Sequence, residues 1–111
     1  MEKIQNEKKE LTITDKQKKG LELLVFIGKP ICAKQAITDY KEQVKEKGFD
    51  IAKINGLNAT LASLASKGLV EKKTGSDYVY DNKLLTHYVI TELGLEMLEK
   101  KSNWKVAFPT I

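Results

Sequence analysis

The sequence contains no arginine, since all 19 of its basic residues are lysines. Arginine carries the planar guanidinium that binds guanine through two parallel hydrogen bonds, so this mode of base recognition is excluded. The chain also has only one cysteine and one histidine. It therefore cannot form an internal disulfide, and it cannot assemble a zinc site from the usual ligands. A single free thiol fits the reducing cytoplasm.

Long apolar runs are also missing. No stretch approaches the roughly 18 residues needed to span a bilayer, and the lysine- and glutamate-rich N-terminus has no apolar signal-peptide core. We therefore expect a cytoplasmic protein that does not enter a membrane. The 111 residues, 41% hydrophobic and 31% charged, are typical of one globular domain. A net charge of +4 only slightly favours a nucleic-acid partner.

An amphipathic helix is predicted over residues 51–67, where apolar residues recur at intervals of three and four. Asp50 suits its N-cap, and Gly68 suits a left-handed C-terminal cap. The expected solvent face has small or polar side chains, so it could enter a DNA major groove about 12 Å wide. This face comprises Lys53, Gly56, Thr60, Ser63 and Lys67, flanked by Asn55, Asn58, Ala59 and Ser66.

Specific roles in DNA binding follow for these side chains. Asparagine pairs with adenine edges, hydroxyl groups reach bases or phosphates, and lysine contacts phosphates. The predicted DNA-binding residues are Lys53, Asn55, Asn58, Thr60, Ser63, Lys67, Lys72, Lys73 and Lys83. Residues 51–73 hold four lysines and one glutamate, a net charge of +3. The hypothesis requires Thr60 and Ser63 to face solvent.

Two further helices are predicted before this one. The first begins at Thr14, which forms a capping-box pattern with Gln17, and ends at Gly28 and Pro30. Its apolar residues, including Leu21, Leu23, Leu24, Val25, Phe26 and Ile27, predict a helix central to the core. After a very short strand at Ile31, a second helix is predicted over about residues 33–47.

A β-hairpin and a last helix are predicted after it. Residues 69–73 and 84–90 are expected to pair as strands, separated by polar turns at 74–77 and 81–83. Thr91 is the predicted N-cap of the last helix. The predicted domain covers residues 13–101, between a polar tail at 1–12 and an apolar tail at 102–111. The apolar tail holds Trp104, Val106, Phe108 and Ile111, and it is expected to pack on the core or on a second copy.

Two segments resemble winged-helix transcriptional regulators, MarR-like proteins among them. Residues 60–73, TLASLASKGLVEKK, resemble the end of the recognition helix and the first wing strand. Residues 87–94, HYVITELG, resemble the second wing strand and the next helix start. The resemblance implies an α+β winged helix-turn-helix with a three-helix core, a C-terminal two-stranded β-hairpin wing and an additional C-terminal helix. It also implies that helix 51–67 enters the major groove, usually in a dimer.

Two functions are left open by the sequence. The first is a double-stranded DNA-binding transcriptional regulator, with a homodimer through the C-terminal helix and residues 104–111 as its candidate assembly. The alternative is a winged-helix protein-interaction module that uses Tyr78, Tyr80 and the C-terminal tail. The wing acids Asp77 and Asp81 and the absent arginine favour this alternative.

An enzyme is not expected. The lone His87 is interpreted as a packed strand residue, and Cys32 as a small residue at a helix boundary, with redox sensing as its less favoured role. Glu42 and Glu46 alternate with lysines on a solvated helix face. No glycine-rich phosphate loop or nucleophile elbow is found. We therefore predict no catalytic residue, cofactor or metal.

Overall fold

The computed structural model describes the backbone of residues 12–107 and the side chains of residues 12–99. Within this range, helices and short strands follow one another in an α+β order. The helices are α1 (Asp15–Ile27), α2 (Ala33–Asp39), α3 (Lys41–Glu46), α4 (Ile54–Ser66) and α5 (Glu92–Ala107). The strands are β1 (Val70–Lys73), β2 (Val79–Tyr80), β3 (Lys83–Leu84) and β4 (His87–Ile90). The predicted N-terminal tail lies outside the described residues, apart from Thr12.

The two ends of α1 form as the sequence predicts. The Thr14 hydroxyl accepts a hydrogen bond from the Gln17 amide at 3.0 Å, and the Gln17 side chain accepts one from the Thr14 amide at 3.0 Å. Gly28 ends the helix with a φ of 72°. The core prediction is wrong for Val25 and Phe26, which are 44% and 60% exposed. The apolar surface of α1 is wider than the face that its neighbours cover.

The prediction of one continuous helix over residues 33–47 is wrong. The structure has two helices here, with a break at Tyr40. This residue has φ −124° and ψ 39°, outside the helical region, and separates α2 from α3. Just before the break, the Thr38 hydroxyl donates to the Lys34 carbonyl at 2.9 Å, a bond that bends helices. The Tyr40 ring then packs edge-on against Phe26, with centroids 6.2 Å apart. The residue at the break therefore packs on the last turn of α1.

The predicted pairing of the two wing strands is confirmed. Strands β1 and β4 are antiparallel, in a register that runs from Val70 opposite Ile90 to Lys73 opposite His87. Ile31 adds the short third strand that was expected, since it exchanges backbone hydrogen bonds of 3.0 Å and 2.8 Å with Tyr88. Tyr88 on β4 is only 2% exposed, because it packs in the core against the helices.

A second hairpin, β2–β3, lies between β1 and β4 and was not predicted. Val79 is opposite Leu84, and Tyr80 is opposite Lys83. The two intervening residues, Asp81 and Asn82, have φ values of 58° and 63°. Two successive positive φ values are typical of a type I′ turn, which matches the twist of a two-residue hairpin. The predicted polar turn at 81–83 is therefore the tip of a separate hairpin.

One apolar core joins all five helices and the sheet, with α3 contributing Val44. Its residues are Leu21, Leu23, Leu24, Ile27, Ile31, Ala33, Ala36, Val44, Phe49, Leu57, Leu61, Leu64, Leu69, Val70, Tyr88 and Met97. Leu57, Leu61 and Leu64 are the inward stripe of α4, as the spacing predicts. Burial of these side chains is the main favourable term that holds α4 against the rest of the protein.

Helix α5 begins where it was expected but continues further. The Thr91 hydroxyl accepts from the Gly94 amide at 3.0 Å and donates to the Gly68 carbonyl at 2.9 Å, so the N-cap also fastens α5 to the end of α4. Residues 102–107 belong to this helix, so it extends into the segment predicted as the apolar tail. The side chains of Trp104 and Val106 and all of residues 108–111 lie outside the described residues, so their predicted packing stays a prediction.

The α+β prediction is confirmed, and this layout is compatible with a winged helix-turn-helix. The predicted three-helix core gains an additional short helix, α3, and the predicted wing gains a second hairpin. In the part of the chain that the structure describes, no helix has both the length and the apolar character needed to cross a membrane.

Candidate nucleic-acid interface

Helix α4 is shorter than the predicted helix over residues 51–67. It runs from Ile54 to Ser66, with Lys53 as N-cap and no side-chain capping bond. The predicted N-cap, Asp50, is wrong because its carboxylate accepts from the Ala52 amide at 2.9 Å and stabilises a turn before the helix. Gly68 has the expected left-handed conformation, with a φ of 79°. The lysine that precedes α4 is thus left exposed at its N-terminus.

The predicted solvent orientation of Thr60 and Ser63 is wrong, because α1 covers this side of α4. Both residues are half-buried. The Gln17 side-chain amide donates to the Ser63 hydroxyl at 3.0 Å. A Cβ atom added to Gly20 would lie 3.2 Å from the Thr60 methyl group, so α1 approaches closely where it has no side chain. The hydroxyl groups of Thr60 and Ser63 donate to backbone carbonyls of α4 itself.

Lys67 lies on the same covered side and has an internal role. Its ammonium group donates to the Thr12 carbonyl at 2.9 Å and to the Gln17 side-chain oxygen at 3.0 Å. Gln17 therefore connects the N-terminal cap of α1 with both Ser63 and Lys67. We accordingly assign Thr60, Ser63 and Lys67 to the contact between α1 and α4. The predicted DNA-binding face is therefore ruled out, and any DNA contact by α4 must use another side of the helix.

The side of α4 that faces away from the core is formed by other residues. Asn55, Ala59 and Ser66 are exposed there, and Ala62 between them is half-buried. Intervals of three and four place these residues along one stripe of the helix. Asn58 is exposed beside the stripe. All of these except Ala62 were predicted to flank the interface, and the exposed face is displaced from the predicted one by roughly a quarter turn of the helix.

Asn58 is held by a residue that the sequence did not identify. The buried Tyr88 hydroxyl donates to the Asn58 side-chain oxygen at 3.1 Å. Burial raises the pKa of Tyr88, so its phenol remains protonated and able to donate. The Asn58 oxygen is thus engaged, and its amide NH₂ group donates no hydrogen bond to any side chain or backbone among the described residues. Acceptor atoms on DNA bases and phosphate oxygens suit such a donor.

A groove of about 330 Å³ separates this part of α4 from α2 and the start of β4. It is lined by Cys32, Ala33, Lys34, Ile54, Asn55, Asn58, Leu85, Thr86 and Tyr88. Lys34, which was not predicted as a site residue, lies 3.1 Å from Asp81 at the tip of the β2–β3 hairpin. No local sequence signal joins these two residues, because 47 positions separate them.

A second groove, of about 420 Å³, lies between the C-terminal half of α4 and β1. Ala62, Ser66 and Lys72 line it, so an exposed lysine lies beside the small-residue stripe. Glu71 also lines this groove, but its carboxylate is 3.4 Å from the ammonium group of Lys73. Lys73 is therefore partly neutralised, whereas no carboxylate of residues 12–99 lies at ion-pair distance from Lys72.

The predicted lysines thus differ in how freely they can meet an anion. Lys53, Lys72 and Lys83 are exposed, and within residues 12–99 no carboxylate lies at ion-pair distance from them. Exposed ammonium groups keep their favourable interaction with a polyanion, subject to salt screening. The lysines available for phosphate contact are therefore at the N-terminus of α4, on β1 and on the β2–β3 hairpin.

The remaining chemically reactive residues have structural contacts. His87 is 5% exposed; its Nδ1 atom lies 2.9 Å from the Leu85 carbonyl, and its ring is 5.4 Å from that of Tyr78. Cys32 is buried and caps α2 by accepting from the Gln35 amide at 3.4 Å. In the described part of the chain, no three His, Cys, Asp or Glu side chains are grouped so as to hold a metal ion.

Comparison with known proteins adds no relative to this description. No protein-family model, no curated protein and no solved structure matches the chain. The functional interpretation therefore depends on the geometry of α4, its two grooves and the surrounding lysines.

Proposed function

We propose that this chain is a winged helix-turn-helix protein that binds double-stranded DNA and regulates transcription, with α4 lying in the major groove. The observation that carries the proposal is the exposed stripe of Asn55, Ala59 and Ser66, with Lys53 before it and Lys72 beside its far end. No acidic or large apolar side chain belongs to this stripe. Such a surface can approach DNA closely and still meet phosphates at its ends.

The dimensions of α4 support this docking. Its 13 residues extend about 20 Å, and short outward side chains keep its width near the roughly 12 Å of the major groove. Lys53, Lys72 and Lys83 would contribute most of the affinity through phosphate contacts. Asn55 and Asn58 would contact base edges, with Asn58 oriented by Tyr88. Thr60, Ser63 and Lys67 would support the helix through α1.

The assembly and location are part of the same proposal. A regulator of this class works as a dimer on paired half-sites, and α5 is the element that we propose to join two copies. We propose a cytoplasmic location as well, which is where DNA lies in a cell without a nucleus. Measurement of the molar mass in solution tests the dimer separately from DNA binding.

The experiment that tests the interface replaces Ala59, at the centre of the exposed stripe. Ala59→Glu should leave the fold intact, because the side chain is exposed on a helix. It should weaken binding to a short labelled A·T-rich duplex about 100-fold, since like charges at an interface cost several kcal/mol. The matched variant Ala59→Gln has nearly the same size without the charge, so it should lose much less affinity. Unchanged binding by a folded Ala59→Glu would contradict the proposal.

A protein-interaction module is the second candidate, and the β2–β3 hairpin favours it. Val79 and Leu84 form a cross-strand pair and are 47% and 69% exposed. Tyr78 and Tyr80 are half-buried, so this apolar pair is a better contact surface than the tyrosines. If the wild-type protein does not bind DNA at low salt, and Leu84→Asp abolishes binding to an isolated protein partner, this candidate replaces the first.

A further inference from the structure

We propose that Lys34 is an additional phosphate-contacting residue and that Asp81 masks it in the free protein, so that the β2–β3 hairpin restrains DNA binding. This inference rests on the proposed function, since it concerns the same surface of α4. It adds a lysine that the sequence did not indicate and gives one of the wing acids a specific role.

The masking contact joins two distant parts of the chain. The Lys34 ammonium group lies 3.1 Å from a carboxylate oxygen of Asp81, and their side chains are 38% and 59% exposed. Asp81 is held in place by the type I′ turn of the β2–β3 hairpin, where its φ is 58°. The hairpin therefore holds the backbone of Asp81 within reach of Lys34.

Lys34 lies where a duplex on α4 would pass. It lines the same groove as Asn55 and Asn58, at the edge of the exposed stripe. A phosphate near this groove would offer Lys34 the same charge and the same oxygen acceptors that Asp81 now provides. Because ion pairs between exposed side chains are weak, the lysine can exchange one anion for the other.

The exchange has a cost that explains how the acid restrains binding. In the free protein Asp81 neutralises Lys34, so the groove attracts phosphates less. In the complex the carboxylate must separate from the lysine and lie near the incoming phosphate, where like charges repel. Asp77, on the same segment of the wing, has no lysine at ion-pair distance among the described residues. Asp77 is therefore a natural control.

The test compares Asp81→Asn with Asp77→Asn, since each removes one negative charge from the wing. Asparagine tolerates positive φ well, so Asp81→Asn should retain the turn, as checked by circular dichroism and Tm. Release of Lys34 adds one phosphate contact, which steepens the slope of log affinity against log salt by about 0.9. Near 0.1 M salt this amounts to an affinity gain of about fivefold to tenfold. Asp77→Asn should gain less and keep the wild-type slope.

Lys34→Gln completes the cycle. In the wild-type background it should weaken binding, because it leaves the Asp81 carboxylate unneutralised beside the phosphates. In the Asp81→Asn background it should remove the gain and restore the original slope. If the two asparagine variants gain equally, or if Lys34→Gln leaves the gain intact, the acid acts by general repulsion and the inference is wrong. If the wild-type protein and all variants fail to bind DNA at low salt, the proposed function fails as well.

Discussion

Gly94, at the start of α5, is the position where the smallest substitution should have a large effect on stability. A Cβ atom there would collide with the Leu69 carbonyl oxygen and lie 2.7 Å from the Ile90 side chain. The carbonyl cannot move freely, because it accepts a hydrogen bond from the Thr91 amide at 3.1 Å. Gly94→Ala must therefore displace α5 from the end of β1 or distort this bond.

The magnitude follows from three contributions. Overpacking costs about 1–3 kcal/mol. Loss of the hydrogen bond between Thr91 and Leu69 adds about 0.5–1.5 kcal/mol. The better helix propensity of alanine returns about 1 kcal/mol. The net loss of about 0.5–3.5 kcal/mol should lower Tm by about 2–28 °C for a domain of this size.

Thermal and urea unfolding, followed by circular dichroism, measure this loss. Gly56→Ala is the matched control, because a Cβ atom at Gly56 in α4 would meet nothing within 4 Å. This control should gain about 0.5–1 kcal/mol from reduced backbone freedom in the unfolded chain. If both alanine variants shift stability in the same direction, α5 does not pack on Leu69 as described, and the assigned junction of α4, β1 and α5 is incorrect.

Three other predictions concern charge and hydrogen bonding. Lys53→Gln should reduce the salt slope of DNA affinity by about 0.9, whereas the same change at Lys45, exposed on α3, should not. Gln17→Ala should lower the unfolding free energy by about 1–3 kcal/mol in urea titrations, because its partners on α4 lose their hydrogen bonds. Since burial raises the pKa of Tyr88, its stabilising contribution is complete below about pH 10 and is lost as pH rises through the raised value. Tyr88→Phe should therefore be less stable than wild type at neutral pH but lose less stability above pH 10, as measured by unfolding at several pH values.

Local signals were sufficient for much of the fold. The Thr14 capping box, the left-handed glycines after α1 and α4, and the Thr91 cap depend on residues within a few positions of one another. The pairing of β1 with β4 follows from two β-rich segments joined by a connection rich in turn residues. The β2–β3 hairpin had a local signal too, because Asp81-Asn82 suits the positive φ values of a type I′ turn.

The candidate site was predicted less well, because it depends on contacts between distant segments. The spacing of Leu57, Leu61 and Leu64 indicates which side of α4 faces the core, but not which neighbour covers each flank. Helix α1 covers Thr60 and Ser63 because it approaches α4 closely at Gly20, which has no side chain. In the same way, packing of the β2–β3 hairpin beside α2 places Asp81 next to Lys34, and no sequence pattern indicates this pairing.

The sequence by itself determined α1, α4, the start of α5, the main strand pair and the lysine-only surface, because caps, hydrophobic periodicity and charge are local properties of the chain. Only the tertiary structure decided which side chains of α4 meet solvent and which lysines are neutralised. The physical reason is that exposure and ion pairing depend on how helices and hairpins pack across the core. A helix has one buried stripe with a flank on either side. Only the packing of neighbouring elements decides which flank is covered and which is exposed to solvent.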